Sequence, residues 1–215
     1  TLAGEPLAYI IGEWEFYGLP LDISRDVLIP RADTETLAET AITLLESRSK
    51  SRLLDLCCGS GCLAIAVLKN VEGVNAVLAD LSEAALEVAQ RNLMQHHLTG
   101  RALTALLDAK AVPPEALGRF HMIVCNPPYG ERLQLDNLLQ VYKELGSRLK
   151  HSFQGNEAWI ISSSYDCFDS IGLKASARIP LYNGDLDCEF RKYEMFQGKY
   201  KGFRDEGNAL KKDFA

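Results

Sequence analysis

The chain is 215 residues long, 47% hydrophobic and 24% charged, with a formal net charge of −6 at pH 7. That length and apolar content suit one compact domain with a real core. The negative balance argues against a protein that holds nucleic acid by global electrostatics, and no apolar run approaches the roughly 18 residues needed to cross a membrane.

No signal peptide is visible at the start, although the chain opens on Thr1 rather than Met. Six cysteines, Cys57, Cys58, Cys62, Cys125, Cys167 and Cys188, sit mostly within apolar runs. That placement points to a reduced setting and a cytoplasmic location rather than a disulfide framework. Cys57, Cys58 and Cys62 lack the usual spacing of zinc ligands, so no metal is expected.

In chain order, "EWEFYGLPLDISRDVLIPR" (13–31) reads as a small β-hairpin, ahead of a first helix over 33–47. "SRLLDLCCG" (51–59) reads as a short buried strand running into a turn, and "CLAIAVLKN" (62–70) has helical length and composition. "VNAVLAD" (74–80) is a second strand. "SEAALEVAQRNLMQHH" (82–97) is a helix with Ser82 suited to the N-cap and Glu83 in the first turn. "RALTALLD" (101–108) and "FHMIVCN" (120–126) are the third and fourth strands. "LDNLLQVYKELGSRLKHSF" (135–153) is a long amphipathic helix, and "EAWIISSS" (157–164) a fifth strand. In "ARIPLYNGDLDCEFRKYEM" (177–195), Asn183-Gly184 separates two β-rich runs and signals an antiparallel hairpin at a sheet edge. Residues 191–215 hold seven Lys/Arg against four Asp/Glu with aromatic residues between them, a composition that suits either a solvated tail or a surface on which bases stack.

Strands alternating with helices imply parallel pairing in an α/β sandwich. In such a sheet, ligands bind beyond the carboxyl ends of the strands, and four motifs fall there. "DLCCGSG", Asp55 to Gly61, is a turn opening a helix, where glycines allow close backbone approach and free N–H groups favour an anion. Asp80 ends the second strand, where an acid can accept both hydroxyls of a ribose. Asp108 ends the third, where a carboxylate can accept from an adenine amino group. Each has a plainer reading as a turn former or cap, but together they outline a nucleoside site without a pyrophosphate clamp.

The fourth motif is Asn126-Pro127-Pro128-Tyr129. Each proline lacks an N–H, fixes φ and pushes the preceding residue towards an extended conformation. Asn126 is therefore expected at a strand's end with its side chain held out, followed by a stiff loop and an aromatic ring. A loop of that kind suits a small, flat, polar group. Here the chain resembles the class I S-adenosylmethionine-dependent methyltransferases that modify planar nitrogens. The resemblance implies that the Asn side chain and a loop carbonyl accept from an amide or exocyclic NH2, that the aromatic ring stacks on it, and that catalysis is mostly positioning.

Two finer resemblances follow. Residues 1–129, through "GEPLAYIIGEWEFYGLPL", "LIPRADTE", "LLDLCCGSGCLAIAV" and "MIVCNPPY", resemble the catalytic domain of peptide chain release factor glutamine N5-methyltransferases. That family implies cofactor contacts at Asp55, Cys57, Cys58, Gly59, Ser60, Gly61, Asp80, Asp108 and Asn126, with S-adenosyl-L-methionine as donor and S-adenosyl-L-homocysteine as product. It implies substrate contacts at Asn126, Pro127, Pro128 and Tyr129. Cys57 stands where the family commonly has the first glycine of its loop, and a larger side chain there is expected to tighten the cofactor site. Residues 126–195, through "NPPYGERL", "YKELGSRLK", "AWIISSS" and "RIPLYNGDLDCEFRKYE", are similar to the catalytic domain of 23S ribosomal RNA guanine N2-methyltransferases. The two resemblances meet at the NPPY motif, so the chain reads as a chimera.

The expected fold is a class I, Rossmann-like methyltransferase with a seven-stranded, mostly parallel sheet, an antiparallel C-terminal hairpin and a small N-terminal β-hairpin. The expected division is a hairpin segment at 1–32, a methyltransferase domain at 33–195 and a tail at 196–215. The expected function is N-methylation with a peptide chain release factor as partner. Alternatives are ribosomal RNA as substrate, or a scaffold that binds cofactor without turnover. The recognition domains of both families are absent from the sequence, and no membrane partner is expected.

Overall fold

The computed structural model describes residues 4–31, 34–111, 117–127, 135–183 and 186–196. A short helix, α1 (Leu7–Ile11), leads into an antiparallel pair, β1 (Glu13–Phe16) and β2 (Leu19–Asp22). Tyr17 and Gly18 join the strands at φ 54° and 71°. Two successive positive φ angles make a tight turn whose twist matches the flanking strands. The expected hairpin is real but narrower than 13–31, because pairing ends at Asp22. Residues 23–31 run on without strand pairing.

The main sheet has seven strands in the order β5-β4-β3-β6-β7-β9-β8: β3 (Ser51–Leu56), β4 (Val74–Asp80), β5 (Ala102–Leu106), β6 (Met122–Cys125), β7 (Glu157–Ser162), β8 (Ala177–Asn183) and β9 (Leu186–Glu194). The first five in that order pair in parallel, whereas β9 pairs antiparallel with both β7 and β8. The expected antiparallel hairpin is therefore present at one edge, although Gly184 of its turn lies outside the described residues. Pro180 falls on β8, an edge strand, where a missing N–H disrupts least.

Alternation along the strands separates two cores. Leu53, Leu78, Val124, Trp159 and Phe190 face one side, with α2 (Thr34–Glu46), α3 (Cys62–Asn70) and α4 (Glu83–Gln95). Leu54, Val77, Ile123, Ile160 and Tyr193 face the other, with α5 (Leu135–Ser152) and α6 (Tyr165–Ser170). Trp159 is fully buried at the centre and packs on Phe190, ring centroids 4.7 Å apart. The helix expected over 82–97 is α4, and the Ser82 hydroxyl does cap it, accepting from the Ala85 N–H at 3.2 Å. Neither α1 nor α6 was apparent in the sequence, since five or six residues hold too little periodicity to stand out.

The hairpin is not an appendage. Phe16 and Leu21 lie in the first core, and Asn92 of α4, fully buried, ties β2 down. The Asn92 Oδ1 accepts from the Asp22 N–H at 2.6 Å, and its Nδ2 donates to the Asp22 carbonyl at 3.1 Å and to the Ser60 carbonyl at 2.9 Å. All three bonds satisfy backbone groups that would otherwise be costly to bury.

On the opposite face, Gly146 lets α5 and α6 approach closely. A Cβ on Gly146 would fall inside the contact radius of the Ile171 carbonyl. Glycine in mid-helix normally costs about 1 kcal/mol relative to alanine, but here overpacking outweighs that gain, at about 1–3 kcal/mol. Gly146→Ala is therefore expected to lower the thermal unfolding midpoint by several degrees. A raised midpoint would show that α6 moves aside freely.

Candidate active site

The turn after β3 is held in a conformation that side chains resist. Cys57, Gly59 and Gly61 have φ of 58°, 53° and 78°. Glycine accepts this region without steric penalty, whereas the Cβ of Cys57 carries a penalty of about 1–2 kcal/mol. Gly61 also needs to lack a side chain for packing: a Cβ there would come 2.6 Å from a methyl of Leu78. Gly61 precedes α3, so the turn delivers the chain directly into that helix.

Asp80, at the end of β4, braces the turn. One carboxylate oxygen accepts from the Gly59 N–H at 2.9 Å and the other from the Ser82 N–H at 3.0 Å. Each oxygen keeps a further lone pair for a ligand hydroxyl. From below, the Cys58 N–H donates to the Ala79 carbonyl at 3.1 Å, and Asn92 holds the Ser60 carbonyl.

Beyond these strand ends lies a cavity of about 420 Å³, within the ordinary range of small-molecule sites. Cys57, Cys58, Gly59, Ser60, Asp80, Asp108, Asn126 and Pro127 all line it. The structure thus brings together most of the residues singled out from the sequence. Gly61 instead serves the packing of the turn. Pro128 and Tyr129 lie outside the described residues. Asp108 shows its plainer character: its Oδ1 accepts from the Lys110 N–H at 2.9 Å as a turn former, while its Oδ2 stands 3.7 Å from the Lys110 ammonium at the cavity wall.

Asp55 occupies a different place. It is buried beneath the turn, its Oδ2 accepting from the Ala64 N–H at 3.2 Å in the first turn of α3. It lines a second, smaller cavity of about 30 Å³ with Cys57, Cys58, Cys62, Cys125 and Asn126. Asn126 and three of the cysteines, Cys57, Cys58 and Cys62, border both cavities. The Asn126 Oδ1 is buried and has no hydrogen-bond partner among the described residues. A buried acceptor left unpaired costs stability, so this atom marks where an N–H donor belongs.

Sequence reasoning missed the opposite wall. Val27, Leu28, Pro30, Arg31 and Thr34, from the segment that follows β2, close the cavity. No periodicity marks that segment; only the quoted "LIPRADTE" pointed to it. Asn92 was missed as well, although a polar residue inside the apolar stripe of α4 was a readable signal.

Burial dominates the electrostatics. It pushes the Asp55 carboxyl up to about 7, against the lowering effect of the Ala64 N–H, and the charge of Asp80 adds to the rise. Burial also raises the Cys58 thiol, and takes Cys62 to about 12. An Asp that titrates near 3.8 when unfolded and about 7 when folded leaves the native state holding the extra proton between those values. The Asp55 contribution to stability is thus greatest below about pH 4, falls as pH rises towards 7, and is level above that. Asp55→Asn should flatten this slope and stabilise the protein at pH 8 by roughly 2–4 kcal/mol. Denaturant unfolding at pH 5 and pH 8 checks it, and an unchanged slope would refute the assignment.

Comparison with known proteins agrees with this geometry. Residues 25–192 match the family described as UPF0020, RMKL-like, methyltransferase domain. The release factor glutamine methyltransferase of Bordetella pertussis is 44% identical over 128 residues, covering 60% of this chain and 46% of that protein. That of Fusobacterium nucleatum is 34% identical over 145 residues, covering 65% and 39%. The chain thus spans less than half the length of these curated relatives. In fold, it is similar to TrmN from Thermus thermophilus, with a TM-score of 0.62 at 20% identity over 74% of this chain and 48% of that one. The N-terminal domain of human METTL16 in complex with SAH has a TM-score of 0.61 at 17% identity, covering 84% and 77%. S-adenosylmethionine is the cofactor of this class of domain, and the cavity fits it: paired acceptors on Asp80, a backbone-lined turn and an orphaned acceptor on Asn126 converge there. By its sequence across most of its length and by the sheet that builds this cavity, the chain belongs to the RMKL-like methyltransferase-domain family.

Proposed function

We propose that this chain is an S-adenosylmethionine-dependent N-methyltransferase whose substrate is the glutamine side-chain amide of a peptide chain release factor. The observation that carries the reading is the buried, unpartnered Asn126 Oδ1 at the end of β6, on the cavity that Asp80 also borders. The names of the Bordetella and Fusobacterium relatives support the substrate class.

Bound S-adenosylmethionine supplies an electrophilic methyl group on a sulfonium. The remaining work is positioning by residues of this chain. Asp80 accepts from ligand hydroxyls while its own bonds to Gly59 and Ser82 keep it still. Asn126 accepts an N–H of the substrate's planar amide, which orients the nitrogen and supplies the bond that no described residue makes. Pro127 follows with no N–H of its own and a fixed φ, which limits movement of Asn126. Tyr129 is proposed to cover the flat face of the amide. This substrate sits where translation terminates, which places the enzyme in the cytoplasm. Among the described residues, no helix is long and apolar enough to cross a membrane.

A second reading takes the N2 amino group of guanine in ribosomal RNA as the acceptor. It is favoured by the segments after residue 126, and by a family match that runs to residue 192 whereas these two curated relatives cover 60–65% of the chain. A fusion of two parents at NPPY accommodates both readings, with the methyltransferase domain at 33–195 and the hairpin segment before it. Methyl transfer from labelled S-adenosylmethionine, measured side by side on release factor and unmodified ribosomal RNA, tests them. Binding of cofactor with no transfer to either would leave only the scaffold reading.

Two substitutions separate cofactor from substrate roles. Asp80→Ala should weaken S-adenosylhomocysteine binding by about 1–3 kcal/mol, the worth of a hydrogen bond to a charged group. Unchanged affinity by calorimetry would overturn the ribose assignment. Asn126→Ala should lower turnover about 10²–10³-fold with cofactor affinity spared, the scale of losing one preorganised partner. Full activity in that variant would place the amide elsewhere.

A further inference from the structure

The turn that departs from glycine at Cys57 brings a second thiol into reach. Leu56 and Cys125 are paired neighbours on the parallel strands β3 and β6, and adjacent strands lie about 4.8 Å apart. Cys57 is the next residue after Leu56, so it stands one residue along from the position paired with Cys125, and a disulfide spans about 4.4–6.8 Å between Cα atoms. The side chains also converge: Cys57 and Cys125 line the same small cavity of about 30 Å³, below Asn126. The two thiols differ in access. Cys57 is half-buried and borders the open cavity of about 420 Å³, whereas Cys125 is 3% exposed and borders only the inner one. The Cys57 thiol beside it is the largest influence keeping the Cys125 thiol protonated, with burial second. No disulfide joins any of the six cysteines in this structure, and among the described residues no group is arranged to hold a metal ion.

We propose that Cys57 and Cys125 form an oxidisable dithiol, a modification site for a peroxide-class two-electron oxidant that enters through the cofactor cavity, and that the resulting disulfide weakens cofactor binding. The coupling to cofactor rests on the reading of the large cavity given above; the dithiol itself does not.

The chemistry balances with the oxidant named. The sulfur of Cys57, as thiolate, attacks one oxygen of hydrogen peroxide; the O–O bond breaks, hydroxide leaves and takes up the thiol's proton as water, and Cys57 becomes a sulfenic acid. The sulfur of Cys125 then attacks the Cys57 sulfur. The S–S bond forms, the S–O bond breaks, and the departing hydroxyl leaves as water with the Cys125 proton. Two thiols have lost two electrons and two protons, and one peroxide has become two waters. Access decides the order, since the thiol on the open cavity meets the oxidant and the enclosed one resolves it.

The bridge would bear on cofactor because of where it lies. Drawing the two sulfurs to about 2 Å pulls the main chain at Cys57, which already sits at φ 58°. Gly59, whose N–H holds Asp80, is two residues away. Reduction with a thiol would reverse the change.

The test treats the whole purified chain with hydrogen peroxide and maps disulfides by fragment ions under non-reducing conditions. Calorimetry with S-adenosylhomocysteine is run before oxidation, after it, and after dithiothreitol. The expected result is a Cys57–Cys125 bridge, about a tenfold loss of affinity and full recovery on reduction. Prior saturation with S-adenosylhomocysteine should slow the oxidation. Cys125→Ala should form no bridge to Cys57, and a Cys58→Ala/Cys62→Ala double variant should still form it. A bridge between Cys58 and Cys62, or only sulfinic acid at Cys57, overturns the dithiol. A mapped Cys57–Cys125 bridge with unchanged affinity overturns the coupling. If the reduced protein binds no S-adenosylhomocysteine at all, the cofactor reading fails, and the mapped bridge still decides the dithiol.

Discussion

The site depends on one constraint: the turn between β3 and α3 must hold positive φ at Cys57, Gly59 and Gly61 while it borders the cavity. Such a turn does not hold itself. Asp80 fixes it from the neighbouring strand through the Gly59 N–H, and Asn92 fixes it from α4 through the Ser60 carbonyl. These are hydrogen bonds to backbone groups, so they set geometry rather than merely add contact. The same Asn92 holds both backbone groups of Asp22. The N-terminal hairpin, the turn after β3 and α4 are thereby one mechanical unit, which is why a hairpin that looked separable lies in the first core.

The sheet arrangement explains why the chemistry gathers where it does. β3 is central, with β4 on one side and β6 on the other. The connections leaving its neighbours diverge at that point and open a crevice at the carboxyl ends. Asp80 comes from one neighbour, Asn126 from the other, and the turn from β3 itself. Three strands thus bring three kinds of group to one cavity: a carboxylate, the main chain of a turn and a single side-chain amide. The wall formed by Val27, Leu28, Pro30, Arg31 and Thr34 encloses them and comes from the chain that the hairpin has already anchored.

Burial separates residues that the sequence presents as equivalent. Asp55 and Asp80 both lie at the carboxyl ends of apolar runs, yet Asp55, one residue inside the end of β3, sits under the turn with its carboxyl pushed up to about 7, while Asp80 borders the cavity. Their difference comes from the alternation of the strands and from α3 packing over Asp55. The cysteines divide in the same way. Burial raises Cys58 and Cys62, and Cys125 borders only the inner cavity, while Cys57, at a left-handed position of the turn, reaches the open one.

Local pattern determined the elements with periodic or strongly patterned sequence. The helix at 62–70 and the strand at 74–80 have the boundaries expected, and the cap at Ser82 and the final hairpin were equally legible. So were the strand-end residues Asp80, Asp108 and Asn126, because a polar residue at the close of an apolar run is a local feature. Tertiary structure alone decided the rest. Strand order, the insertion of β9 between β7 and β8, and the closing wall from Val27 to Arg31 and at Thr34 depend on contacts between residues far apart in sequence. The burial of Asp55, the three bonds of Asn92 and the meeting of Cys57 with Cys125 are of that kind too. Each arises when separate elements pack and water is excluded between them, and no window of neighbouring residues carries that information.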